Sequence, residues 1–238
     1  MMLRALSADF LKIRGKGIWF LIFLAPIGII AMQALNFGLR YDYLTKQYRD
    51  DLWGGVIKNV GNFVPIALYL GATLVGSLIA GVEHQLSSWK QLLALPISRT
   101  AVFVSKYIMT ILLLFVSCIL LSFGTAGLGL ALGCDPNQIP YADLAIIGFY
   151  PFIASLPVLA LQLWLSLSFK NQVLPVTLGL SMALGSVFTA GISEAFPLNW
   201  PKAVLEGINQ GVFMGLGLGF GLILTLIGLI HFTRKDVD

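Results

Sequence analysis

Residues 107–132 read YIMTILLLFVSCILLSFGTAGLGLAL, an apolar run containing no Asp, Glu, Lys or Arg. About 20 helical residues cross the ~30 Å hydrocarbon layer of a bilayer. In that layer a helix satisfies its own backbone polar groups, as water cannot. Tyr107–Leu132 is therefore read as a membrane span. Five more runs of this kind surround it: Ile18–Leu35, Val60–Val82, Leu144–Phe169, Val173–Ile192 and Gly211–Phe232. The expected fold is an all-α integral membrane protein with six transmembrane helices in one membrane domain over residues 1–238.

The composition agrees. The chain is 58% hydrophobic and 11% charged, where an ordinary soluble domain carries about 25% charged residues. So few charges cannot cover the outside of a soluble fold of 238 residues. Arg4, Lys12, Arg14 and Lys16 precede the first run and give it the outline of a secretory signal. The run is too long for such a signal, and no small-x-small cleavage site follows it, so it is expected to stay as the first span. The net charge of +4 is scattered, which argues against nucleic-acid binding. Cys118 lies inside a span and Cys134 just beyond one, a placement that suggests neither a disulfide framework nor a metal site.

The connections set the orientation. The N-terminus, the second and fourth connections and the tail together hold ten Lys and Arg residues; the other three hold five. The positive-inside bias puts both termini in the cytoplasm. All five tryptophans, Trp19, Trp53, Trp89, Trp164 and Trp200, fall near expected span ends, where an indole favours the headgroup level. The basic, tyrosine-bearing connection over 36–59 is expected on the outer side.

Two cytoplasmic segments stand out. In residues 2–16, Leu3, Leu6, Phe10 and Ile13 recur at helical spacing, with Arg4, Asp9, Lys12 and Arg14 assigned to other faces. The pattern suits an amphipathic helix lying on the membrane surface. Between spans two and three, Leu86, Trp89, Leu92 and Leu93 form one stripe. Pro96 then disfavours helix at Leu95, and Ser98 is placed to cap a new helix that carries Lys106 into the third span. A short helix, a stop and a second helix joined to a span make a unit able to pass motion into the membrane. An ordinary interfacial loop would read the same way from spacing alone.

Gly211, Gly215 and Gly219 repeat every fourth residue in the last span, as expected of a close helix–helix seam. No Asp, Glu, Lys or Arg falls inside an expected span, which disfavours an ion-coupled carrier. Gln33, Asn62 and Gln162 are candidates to touch a substrate, or to hydrogen-bond between helices. No phosphate-binding loop and no His-Glu-x-x-His motif occurs. Ser193 and His231 are expected at opposite membrane faces, too far apart to share a proton. The chain is expected not to be an enzyme and to hold no cofactor or metal.

Glu83, then Trp89-Lys90-x-Leu92-Leu93-x-Leu95-Pro96-Ile97-Ser98-Arg99, then Lys106, resembles the bacterial type-2 ABC exporter permeases. Their layout of six spans, with both termini inside and an amphipathic helix first, resembles the one read here. The resemblance implies a permease subunit in the bacterial cytoplasmic membrane. It would pair with a second permease, identical or related, and draw on a cytoplasmic ABC ATPase that binds ATP and Mg. It also implies that the loop carries a coupling helix, with Leu86, Trp89, Leu92 and Leu93 as its docking stripe. Glu83, Lys90 and Arg99 would make its polar contacts, and Pro96 its stop. Short re-entrant helices would lie in 194–210. The cargo implied is an antimicrobial peptide or hydrophobic drug. A secondary carrier or channel, or an assembly subunit without a transport path, are the alternatives.

Overall fold

The computed structural model describes residues 2–85, 98–189 and 193–234. Eleven α-helices are described: α1 (Met2–Lys12), α2 (Ile18–Leu39), α3 (Tyr41–Gln47), α4 (Leu52–Gly61), α5 (Val64–Gln85), α6 (Arg99–Ala131), α7 (Tyr141–Ala154), α8 (Leu156–Ser168), α9 (Val173–Phe188), α10 (Trp200–Leu205) and α11 (Gln210–Arg234). Helices α5, α6 and α8 form the middle of the bundle. α9 and α8 lie on α5, α11 lies on α8, and both α1 and α2 lie on α6.

Four stretches are long and apolar enough to cross a membrane: Ile18–Leu39, Leu52–Val82, Arg99–Ala131 and Gln210–Arg234. The expected span Leu144–Phe169 is broken into α7 and α8, bent by 50°. The cause is local. Pro157 stands in the first turn of α8 and has no N–H to offer Ile153, so one helical hydrogen bond is missing. Ser155 bridges the break, its amide donating to Pro151 O at 2.9 Å and its hydroxyl to Phe152 O at 2.8 Å. Taken as one span, the bent pair raises the number of such stretches to five. α9 is apolar but has only 16 residues, too short for the same test.

The connection over 36–59 is mostly helix and not loop. α2 continues to Leu39, α3 follows, and α4 runs almost directly into α5. Asp51 starts α4 by accepting a 2.8 Å hydrogen bond from the Gly54 amide. Trp53, Val56 and Val60 of α4 are buried. The Trp53 ring covers Gly129 near the end of α6, and its indole N–H donates to Asp135 O at 3.2 Å.

The outside of the bundle is as apolar as its inside. Phe20, Ile27, Leu35, Val187, Leu222 and Ile223 are each more than half exposed. Water penalises such a surface and lipid does not. Two of the tryptophans are buried within the bundle. Trp53 is 7% exposed and Trp200 3% exposed, the latter packed among Phe213 and Phe220 at ring-centroid distances of 6.3 and 5.7 Å.

Candidate functional site: the base of α6

α6 begins at Ser98, whose hydroxyl accepts a 3.2 Å hydrogen bond from the Ala101 amide, the cap read from the sequence. The helix starts eight residues before the expected span at Tyr107, and those two extra turns collect the side-chain contacts of this end of the bundle. Arg99 Nη1 donates to Thr233 O at 3.2 Å. A cation there complements the negative C-terminal end of α11. One turn on, Phe103 lies against Phe232 with ring centroids 5.7 Å apart.

Ser105 and Lys106 then face α1. Ser105 Oγ donates to Asp9 Oδ2 at 2.7 Å, and Lys106 Nζ lies 3.4 Å from Asp9 Oδ1. The side chains of Lys106 and Asp9 are 2% and 7% exposed. A buried ion pair persists only where geometry and further hydrogen bonds offset its desolvation, and the Ser105 hydroxyl supplies one such bond. Leu6, Phe10 and Ile13 flank Asp9 on the same face of α1 and pack into the core. The expected amphipathic helix is present, but its stripe faces protein, and Asp9 stands inside that stripe instead of on another face.

α11 links this base to α8. Trp164 Nε1 donates to His231 Nδ1 at 3.2 Å, and Ser168 Oγ lies 3.5 Å from the same nitrogen. A chain of side chains therefore joins α1, α6, α11 and α8 at the end that carries both termini. Ser193 lies at the other end, where its carbonyl accepts from Asn199 Nδ2 at 2.7 Å. Ser193 and His231 are not brought together.

Of the coupling residues, Leu86, Trp89, Lys90, Leu92, Leu93 and Pro96 lie outside the described residues. The backbone of Glu83 closes the last turns of α5, and Arg99 is placed as above. Gln33 and Gln162 bond between elements. Gln33 Nε2 donates to Asn59 O at 3.1 Å, and Gln162 Nε2 to Pro175 O at 2.7 Å. Asn62 is exposed at the C-cap of α4.

The glycines of α11 are placed differently from the sequence reading. A Cβ added at Gly211, Gly215 or Gly219 would meet nothing in this chain within 4 Å. The close approaches fall half a turn away. A Cβ at Gly217 would stand 2.5 Å from Ile153 O, one at Gly221 2.9 Å from Leu156 Cβ, and one at Gly228 2.9 Å from the Trp164 ring. α11 thus rides directly on the α7–α8 break. Asp9 is the functional candidate that the sequence reading missed; its one signal was an acid at helical spacing within an apolar stripe.

A family model described as "ABC-2 family transporter protein" matches residues 5–186, from α1 to the last turn of α9. The chain belongs to the ABC-2 transporter family. No curated protein and no solved structure matches it. As an ABC-2 family member it is a multi-pass membrane component of a transporter, of the permease type. Membership also implies association with an ABC ATPase. The matched stretch includes Asp9, Ser105 and Lys106.

Proposed function

We propose that this chain is the permease subunit of an ATP-driven exporter, forming one membrane domain of six spans with both termini in the cytoplasm. In this reading the bent α7–α8 pair is the fourth crossing, the short α9 the fifth and α11 the sixth. The loop before α6 is the coupling helix. Leu86, Trp89, Leu92 and Leu93 dock on a separate ABC ATPase, which binds ATP and Mg, and Glu83, Lys90 and Arg99 make polar contacts around that joint. A second permease, identical or related, completes the pathway. The cargo is an amphipathic molecule such as an antimicrobial peptide or hydrophobic drug, and the membrane is the bacterial plasma membrane.

The observation that carries this reading is the clamped base of α6. Arg99, Phe103, Ser105 and Lys106 fasten the first two turns of that helix to α11 and α1. A push on the preceding loop would therefore reach three helices at once. A free loop end would dissipate such a push in local motion.

The test is co-purification. The tagged chain, co-expressed with the ATPase encoded beside it, is extracted in mild detergent. The ATPase is expected to elute with the wild type and to be lost with Trp89→Asp plus Leu93→Asp, while membrane insertion stays normal. An ATPase that fails to elute with the wild type, or that still binds the double variant, overturns the proposal.

A further inference from the structure

α2 packs on α6 far more extensively than on α5, and an apolar cleft of about 380 Å³ runs between α2 and α5. Its floor is buried: Ile22 and Ile29 of α2, Val75 of α5, and Leu114, Cys118 and Leu121 of α6 are 1–9% exposed. Its rim is open, with Leu24, Met32, Phe63 and Leu74 each 37–47% exposed. Ser117 brings the one hydroxyl to the lining, and no charged side chain is part of it. Both walls belong to stretches that qualify as membrane spans, so the cleft opens at the depth of lipid tails.

We propose that this cleft binds a single acyl chain of a membrane phospholipid. Length and depth suit this occupant. From Leu21 to Met32 the cleft follows about 16 Å of helix axis at 1.5 Å per residue. An extended hydrocarbon chain, with carbon contacts at 3.5–4.0 Å, has a cross-section of roughly 20 Å² and fills roughly 320 Å³ over that length. Chemistry separates it from water, because an apolar cavity of this kind offers water no partners. An empty cleft would leave its lining without dispersion contacts, and the bilayer supplies the matching chain at the right depth. The inference needs only that the chain lies in a membrane; it does not depend on export or on an ATPase.

The test uses full-length protein in phosphatidylethanolamine–phosphatidylglycerol vesicles doped with a phospholipid that carries a diazirine in mid-chain. After irradiation, adducts are mapped by peptide mass spectrometry. Adducts are expected on the floor residues Cys118 and Leu121 as well as on the outward-facing Phe20 and Ile27. At Gly28 a Cβ would meet nothing within 4 Å, so Gly28→Leu adds bulk to the cleft from a position with room for its first carbon. That variant should keep the Phe20 and Ile27 adducts and reduce those on the floor at least fivefold. Ala67→Leu on the opposite wall should do the same, and serves if the first variant is not recovered. A wild type labelled only on its outward residues overturns the proposal, including where cross-linking of Gly28→Cys between two copies shows a second chain over the mouth. Floor labelling that both filled variants leave unchanged overturns it equally.

Discussion

Asp9 shows how much one side chain can decide. Its carboxylate holds Lys106 and Ser105 in a site closed to solvent, and removing one partner of a buried ion pair costs about 3–5 kcal/mol. Asp9→Asn and Lys106→Met should therefore each lower the thermal midpoint in detergent, and the combination Asp9→Leu with Lys106→Met should recover much of the loss. A double variant less stable than both singles would show that the pair is not coupled as described. Cys134 offers a test of electrostatics at the other end of the bundle. Burial and then the negative charge of Asp51 push its thiol above the ordinary range, against a smaller lowering by a backbone hydrogen bond. The thiolate is the reactive form, so at pH 8 maleimide should modify Cys134 more slowly than an exposed cysteine, with the rate still climbing at higher pH. Asp51→Asn keeps a side-chain oxygen to cap α4 and removes the charge, so it should speed the reaction. An unchanged rate would remove Asp51 from the account.

Between elements, phase matters more than composition. A glycine repeat was legible in α11, but which face meets a neighbour was not. The seam is fixed by the α7–α8 bend, and Gly217 and Gly221 are the positions that meet Ile153 and Leu156. Gly217→Leu should displace α11 and lower the thermal midpoint, since forced overpacking costs about 1–3 kcal/mol. Gly219→Leu should be tolerated by the isolated chain. Equal loss from both would place the seam elsewhere. Pro157 was visible in the sequence, yet a proline inside a span is compatible with a mild kink. The 50° break is accommodated by α11, whose Gly217 and Gly221 leave room for Ile153 and Leu156. The apolar stripe of α1 was equally visible, and its partner was not. Lipid and a neighbouring helix look alike to Leu6, Phe10 and Ile13, and only Asp9, through Lys106 nearly a hundred positions away, distinguishes them.

For the whole molecule, apolar run length located most of the bundle, because the bilayer imposes that constraint on each segment separately. It failed at α4, whose Leu52–Gly61 turns extend the second span beyond its expected start at Val60. It is also silent on the burial of Trp200, because hydropathy does not see which aromatic rings pack together. Orientation can be measured directly. Lys46→Cys is expected to react with a membrane-impermeant maleimide on intact cells, and Lys16→Cys only after permeabilisation; the reverse pattern would invert the molecule. The short helix α9 has one more consequence. At 1.5 Å per residue its 16 residues rise about 24 Å, some 6 Å less than the hydrocarbon they face. Val173, Leu184, Val187 and Phe188 are more than half exposed along it. In the proposed six-span arrangement, lipids beside this helix must shorten or tilt to meet it, at fractions of a kcal/mol per Å. Reconstitution in bilayers of shorter fatty acids should accordingly slow thermal inactivation, and a dimple in membrane thickness should travel with the protein wherever it diffuses.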